Sequence, residues 1–471
     1  MKKFFKEHDL LKASGLFVLL AILLTWIIPS GYYQEGGMVT KEINRVGLTA
    51  FFQHDVLIFA YIPMLVSFLL ILGGFYEILS RTAGYQSMVD KITKKVKGHE
   101  VVFVLGIMLI FAIMSSTLSE FIPILIFVPL VITILNRLKI DKLPAFAATF
   151  GGILVGTIGG TISTRTVGLI NSVFNTEQGA PTFGPYIAVK LVLFICAFLL
   201  LSFLTVKQIR DDKKNKKFTA YDKFDIEKVK SPKKKAVTWT YIVGLVLILV
   251  TTILAYLPWS SFKITLFDDI TKAVNEFTIF GSPVISYIFG EFTSFGNWNL
   301  FNIQYVMLAA ILLIKIFGRV SFDEIIDSFA IGFKKIGPVV ITLLFVYATL
   351  IFTYKYPVLP VIVDWINNLS KGFSSVLAFI AMFVASTFCI EMQYISELFG
   401  QYYIGEAAKH VKELSIVFQS AFGLASFCVP TSAALMIGLS FLEIPYGKYL
   451  KFIWKLLAAM LIICILILII I

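Results

Sequence analysis

Residues 151–171 read GGILVGTIGGTISTRTVGLIN. The stretch opens as an apolar run long enough for half a membrane crossing. It then becomes Gly159-Gly160-Thr161, hydroxyls at Ser163, Thr164 and Thr166, with Arg165 among them, and finally Asn171. Glycines weaken a helix, and hydroxyls offer its backbone competing hydrogen bonds. An arginine at membrane depth is costly and usually functional. The pattern predicts a discontinuous transmembrane helix whose unwound middle turns free N–H and C=O groups toward a polar ligand.

This stretch has a counterpart. Ser116-Thr117-Leu118 lies upstream, with Thr117 and Thr161 separated by 44 residues. Ser386-Thr387-Phe388 and Pro430-Thr431-Ser432 repeat the arrangement, and Thr387 and Thr431 are again 44 residues apart. A Ser-Thr pair followed by an interrupted helix at one spacing predicts a two-fold repeat with a site between its halves.

Composition sets the class. Of 471 residues 58% are hydrophobic and only 15% charged, more apolar surface than a water-soluble fold can bury. Several runs reach the ~20 residues that cross a bilayer as a helix. The net charge of +12 gathers at span ends and in one linker, as the positive-inside rule expects, and is no nucleic-acid signature. Cys196, Cys389, Cys428 and Cys464 sit in apolar surroundings and read as small core residues, not disulfides. The histidines, His8, His54, His99 and His410, fall near ends and loops, which argues against an intramembrane metal site. Gly447-Lys448 is followed by Tyr449, so no Walker A phosphate loop is present. No histidine lies near a hydroxyl motif, and no nucleophile–histidine–acid arrangement emerges.

Taken in order, a basic N-terminus precedes a first span at Leu11–Pro29. Ser30–His54 reads as an outside loop and Val56–Leu79 as the return. Residues 81–100 read as an amphipathic surface helix. Val101–Asn136 reads as a re-entrant hairpin with its tip near Ser116 and Thr117, and Leu143 to about Asn171 as the first broken helix. Lys207–Lys235 is a hydrophilic, lysine-rich linker that suits the cytoplasmic face and anionic lipid heads. Val237–Pro258 is an extra span, and Trp259–Asn299 an outside segment with short surface helices. Phe301–Gly318, a surface segment at Arg319–Lys335 and a span at Pro338–Tyr356 follow. Ser374–Ile404 is the second hairpin, Leu414–Phe441 the second broken helix, and Tyr446–Ile471 the last span. The expectation is an all-α polytopic membrane protein with an inverted-topology repeat, two re-entrant hairpins and two discontinuous helices. Its parts are residues 1–206, a linker at 207–236, a linking span at 237–258, and residues 259–471. The extra span inverts the second half.

The candidate binding residues are Ser116, Thr117, Thr161, Ser163, Thr164, Arg165, Thr166, Asn171, Ser386, Thr387, Thr431 and Ser432. Hydroxyls and exposed carbonyls suit Na⁺ or substrate oxygens, and helix N-termini suit carboxylates. Arg165 is able to fork a carboxylate, to balance a nearby acid, or to reach the outer interface. Glu120 and Glu391 each follow a Ser-Thr pair, as proton carriers, as partners of an ammonium or guanidinium, or as helix caps. Glu397 is the alternative to Glu391.

The run Gly-Gly-Thr-x-x-Thr-x-Thr-x-x-x-x-Asn at 159–171, with its upstream Ser-Ser-Thr, resembles the ion-transporter superfamily of carboxylate and amino-acid carriers. Members use two Ser-Asn-Thr-like hairpin tips; here both tips lack the asparagine. Within it the chain resembles the YfcC-like branch of basic amino-acid antiporters, relatives of the anaerobic four-carbon-dicarboxylate carriers. That resemblance rests on Thr25-Trp26-Ile27-Ile28-Pro29-Ser30-Gly31-Tyr32, on Pro430 to Met436 and on Ile444 to Tyr449 with Phe452, Trp454 and Lys455. The branch shows an acidic pair at the first hairpin, where this chain keeps Glu120 alone. The resemblance implies an elevator-type secondary transporter, a homodimer in the plasma membrane.

The reading is therefore a secondary active transporter of small carboxylate-bearing metabolites and not an enzyme. It has no cofactor beyond a coupling Na⁺ or H⁺, and its partners are substrate and membrane lipids. Basic amino-acid exchange of the arginine/ornithine type is favoured; the alternative is a proton- or sodium-coupled four-carbon-dicarboxylate carrier, and a passive channel is the rival class. If Arg165 forks a carboxylate, Arg165→Lys should raise the apparent KM at least about tenfold in transport assays. An unchanged KM would leave the arginine structural.

Overall fold

The computed structural model describes residues 9–34, 37–118, 120–163, 187–221, 235–318, 320–389 and 391–471. Among these residues, eight helices are long and apolar enough to cross a bilayer, and three shorter apolar helical segments run over Ile122–Arg137, Lys142–Ile158 and Ser375–Phe388. The chain is thus a polytopic α-helical membrane protein, with a single described sheet, the hairpin pairing Gly31–Gln34 with Gly37–Thr40.

Exposure separates lipid-facing helices from the core. On the Ile187–Lys214 helix, Leu191, Ile195, Leu199 and Phe203 form an exposed apolar stripe at four-residue intervals. The opposite face, including Leu193, Ala197 and Leu201, is buried. A surface of this kind is stable in hydrocarbon and would be an aggregation hazard in water. Two helices, Pro63–Arg81 and Phe322–Lys355, are two-thirds buried.

Those two helices touch backbone to backbone. A Cβ added to Gly73 would fall 2.8 Å from the Gly332 carbonyl oxygen, and one added to Gly332 would fall 2.5 Å from that of Gly73. Small residues at such crossings let dispersion and weak backbone contacts replace the absent hydrophobic drive between helices. One turn beyond Gly73, the 2%-exposed Glu77 carboxylate is held by Arg81 at 2.9 Å and Lys335 at 2.6 Å. A buried carboxylate needs such partners, because an unpaired charge there costs several kcal/mol.

The fold departs from expectation in three places. Residues 319–335 and 338–356 do not form a surface segment and a separate span: Phe322–Lys355 is one helix of 34 residues with Pro338 inside it. Packing against the Pro63–Arg81 helix, through Gly332 and Ile336, holds the helix together across the missing N–H of Pro338. Its start was legible as Ser321-Phe322-Asp323-Glu324, which forms a capping box. The span expected at Val56–Leu79 is instead two helices, Asp55–Tyr61 and Pro63–Arg81, divided where Pro63 starts the second. The expected loop at Ser30–His54 contains the hairpin, anchored by Gly31 N–H donating to the Pro357 carbonyl at 2.9 Å. The amphipathic helix expected at 81–100 is present as Ala83–Val96.

Gly332→Ala should overpack the crossing and cost about 1–3 kcal/mol, seen as a lowered unfolding temperature in detergent. Gly337→Ala, where no atom lies within 4 Å of the added carbon, is the control. Equal stability of the two variants would contradict the close crossing.

Candidate functional site

The first interrupted helix runs over Lys142–Ile158, with a π-helical turn at Ala147–Gly151. Such turns often mark functional sites. Gly152 and Gly156 press this helix onto Glu100–Thr117: a Cβ on Gly152 would meet the Met108 carbonyl oxygen at 2.6 Å, and one on Gly156 the Ser115 Cβ at 2.6 Å. The small-xxx-small row brings the two backbones together. It also aligns the helix's end with Ser116.

At Gly159 the helix stops, and Ser116 takes over its hydrogen bonds. The Ser116 hydroxyl donates to the Gly159 carbonyl at 2.8 Å and lies 3.0 Å from the Thr161 hydroxyl. The Thr161 N–H donates to the Ser116 carbonyl at 3.0 Å, and its hydroxyl reaches the same oxygen at 3.2 Å. The second half repeats the device. The Met392–Ser426 helix bends at His410, where the backbone leaves helical geometry, and ends before residues 427–432. Thr431, fully buried, donates from its hydroxyl to the Thr387 carbonyl at 2.7 Å. Ser432 then caps the Ala433–Phe441 helix by accepting from the Leu435 N–H.

The two interrupted helices also meet each other. A Cβ on Gly423 would lie 2.6 Å from the Ile158 Cβ, and the fully buried Gln419 donates from Nε2 to the Thr157 carbonyl. The Gln419 Oε1 atom has no hydrogen-bond partner among the described groups.

A cavity of about 70 Å³ opens between residues 115–122, residues 391–392 and the two interrupted helices. Its polar wall is Ser115, Thr157 and Ser163 from the first half and Glu391, Ser426 and Ser432 from the second. Ala433 and Ala434, also in the wall, begin a helix, so their N–H groups have no intrahelical acceptor and point the positive end of its dipole at the cavity. Tyr347 completes the wall and donates its hydroxyl to Glu391 at 3.0 Å.

The structure sorts the expected residues. Ser116 and Thr161 hold the first break, Thr387 and Thr431 the second, and Ser163 and Ser432 face the cavity. The Thr117 and Thr387 hydroxyls turn back to their own helices, bonding the carbonyls of Ile113 and Val384. Ser386 is buried, and its hydroxyl has no partner among the described groups. Of the acids, Glu391 lines the cavity, whereas Glu120 is absent from its wall and stands within electrostatic range of Tyr256. Glu397 is exposed and takes a hydrogen bond from Gln393. Thr164, Arg165, Thr166 and Asn171 lie outside the described residues. Ser115, Thr157, Tyr347, Gln419 and Ser426 lie outside the sequence expectation. Their one signal in the sequence is polarity within otherwise apolar runs.

Many apolar helices around an internal polar cavity define a multi-pass membrane protein built to bind a small polar molecule. The model of the DcuC family, C4-dicarboxylate anaerobic carrier, matches residues 15–393 and 410–471, and the chain belongs to this family of secondary transporters. It is therefore a transporter and not an enzyme, and the family implies no cofactor. No curated protein matches the chain. Among solved structures, the Alcanivorax borkumensis YdaH transporter is 13% identical over 98% of this chain and 97% of its own, with a TM-score of 0.42. Neisseria gonorrhoeae MtrF, of a class of antimetabolite efflux pumps, is 14% identical over 98% and 94%, with a TM-score of 0.40.

Thr431→Val removes the hydroxyl that satisfies the buried Thr387 carbonyl and should cost about 1–3 kcal/mol of stability in detergent, whereas Thr161→Val, which leaves the Ser116 carbonyl its bond from the Thr161 N–H, should cost about 0.5–1.5 kcal/mol. Thr117→Val, which removes only a bond within one helix, should cost less than either. A Thr431→Val protein as stable as wild type would contradict the second contact.

Proposed function

We propose that this chain is an ion-coupled carrier of four-carbon dicarboxylates, working by alternating access in the plasma membrane. The observation that carries the reading is the single cavity walled by both interrupted helices, with Ser163 on one side and Ser432 and the Ala433–Ala434 amides on the other. A helix N-terminus with a hydroxyl cap is a carboxylate-binding arrangement. The family's description supplies the substrate class.

The Ser116–Thr161 and Thr387–Thr431 contacts tie each upstream Ser-Thr pair to its interrupted helix, which supports an elevator-type movement of the two together. The inverted repeat, residues 1–206 against 259–471, accounts for the paired threonine contacts. Positive-inside charge supports a cytoplasmic N-terminus and linker. The homodimer expected from the resemblance stays part of this proposal.

Glu391 sets the coupling question. A carboxylate beside a dianion repels it, so a proton or Na⁺ at Glu391 would have to enter with the substrate. The same residue favours a second reading, exchange of basic amino acids, because a carboxylate under Tyr347 suits an ammonium or guanidinium and none of the wall's described side chains is cationic.

Counterflow in proteoliposomes separates the two. Vesicles preloaded with unlabelled fumarate should accumulate labelled succinate, and those preloaded with ornithine should not accumulate labelled arginine. The reverse pattern would overturn the dicarboxylate reading. Glu391→Gln should keep dicarboxylate exchange while flattening the pH dependence of net uptake. In the amino-acid reading it would abolish arginine exchange.

A further inference from the structure

Four tyrosines follow one another from the cavity wall to the surface. Tyr347, buried at 5% exposure, lines the cavity and donates to Glu391. Its ring packs on Tyr61 at 5.6 Å between centroids, Tyr61 packs on Tyr394 at 5.7 Å, and Tyr394 meets Tyr354 edge-on at 5.1 Å. Tyr394 also hydrogen-bonds the Tyr61 side chain. Tyr61 and Tyr354 are exposed, at 38% and 47%. At Tyr61, two rings in contact thus separate the cavity from the surface.

The helices explain the placement. Phe322–Lys355 has 34 residues, so at ~1.5 Å per residue it outreaches the ~30 Å hydrocarbon core. Tyr354 stands in its last turn, and Tyr347 two turns deeper on the same face. Tyr61 ends the Asp55–Tyr61 helix, which leads into Pro63–Arg81. Tyr394 lies in the first turn of Met392–Ser426, three residues after Glu391. Tyrosines at membrane interfaces commonly anchor a helix in the headgroups. Tyr347 does not, because its ring is buried and its hydroxyl is bonded to Glu391.

The rings join two sets of elements. Tyr61, Tyr347 and Tyr354 belong to the helices around the Gly73–Gly332 crossing, whereas Glu391 and Tyr394 belong to the second interrupted helix. Aromatic pairs and single hydrogen bonds are individually weak enough to be made and broken in every transport cycle. We propose that the four tyrosines are the gate between the cavity and the outer solution. Substrate passes when Glu391 and Tyr394 part from Tyr61, Tyr347 and Tyr354. The gate rests on the alternating-access reading and serves either substrate class.

The test fastens the gate. Tyr354→Cys/Tyr394→Cys protein in proteoliposomes is treated with a short, reducible bis-methanethiosulfonate, and intact mass confirms the cross-link. Counterflow of succinate against fumarate should fall at least about tenfold relative to the same protein untreated, and return on reduction. Wild type, with its four native cysteines, and each single variant should be unaffected by the reagent. A second measurement follows a cysteine placed in the cavity wall by Ser426→Cys. Labelling by an impermeant thiol reagent, added outside right-side-out vesicles, should quicken at least about tenfold when Tyr61→Ala and Tyr394→Ala are added. Undiminished flux through the cross-linked protein, or labelling indifferent to the alanines, would overturn the gate and leave the dicarboxylate reading standing. A wild-type protein that exchanges arginine and takes no diacid would overturn that reading, and arginine flux through the cross-linked protein then decides the gate.

Discussion

A helix that stops inside an apolar interior leaves carbonyls and amides that no water can satisfy. The rest of this structure depends on how that deficit is met. In the first half Ser116 and Thr161 exchange hydrogen bonds across the break at Gly159. In the second, Thr431 reaches the Thr387 carbonyl. Each contact joins the end of a neighbouring helix, Glu100–Thr117 or Ser375–Phe388, to an interrupted helix, so neither break can be understood from its own helix alone.

The glycines follow from this requirement. Hydrogen bonds of about 3 Å across two helices need backbones closer than ordinary side chains allow, and Gly152, Gly156 and Gly423 provide that approach. Gly73 and Gly332 do the same for the two most buried helices, where the Glu77–Arg81–Lys335 cluster fixes one end of the crossing. In lipid such packing has no hydrophobic drive behind it, and its specificity comes from shape and satisfied polar groups. A site assembled from these contacts can be rigid within each unit, while the cavity between the units changes volume.

Much of this was legible in the chain. The recurrence of a Ser-Thr pair and an interrupted helix marked the neighbourhood of both breaks, although the first contact uses Ser116 and not Thr117, the residue 44 positions before Thr161. Other features were not. Pro338 looked like a boundary, and only tertiary packing carries its helix through. The hairpin at 31–40 depends on a bond to Pro357, more than 300 residues away in sequence. Glu120 and Glu391 looked equivalent by position, yet their surroundings separate them.

Substrate is proposed to bind where the two interrupted helices cross, and not in any groove between lipid-facing spans. The most direct measurement is a cryo-electron-microscopy structure of the protein in nanodiscs with saturating succinate. The account predicts ligand density in an enlarged cavity contacting Ser163, Ser432 and the first amides of the Ala433–Phe441 helix, with the Thr161 and Thr431 contacts intact. Density elsewhere, with this cavity still closed, would contradict it.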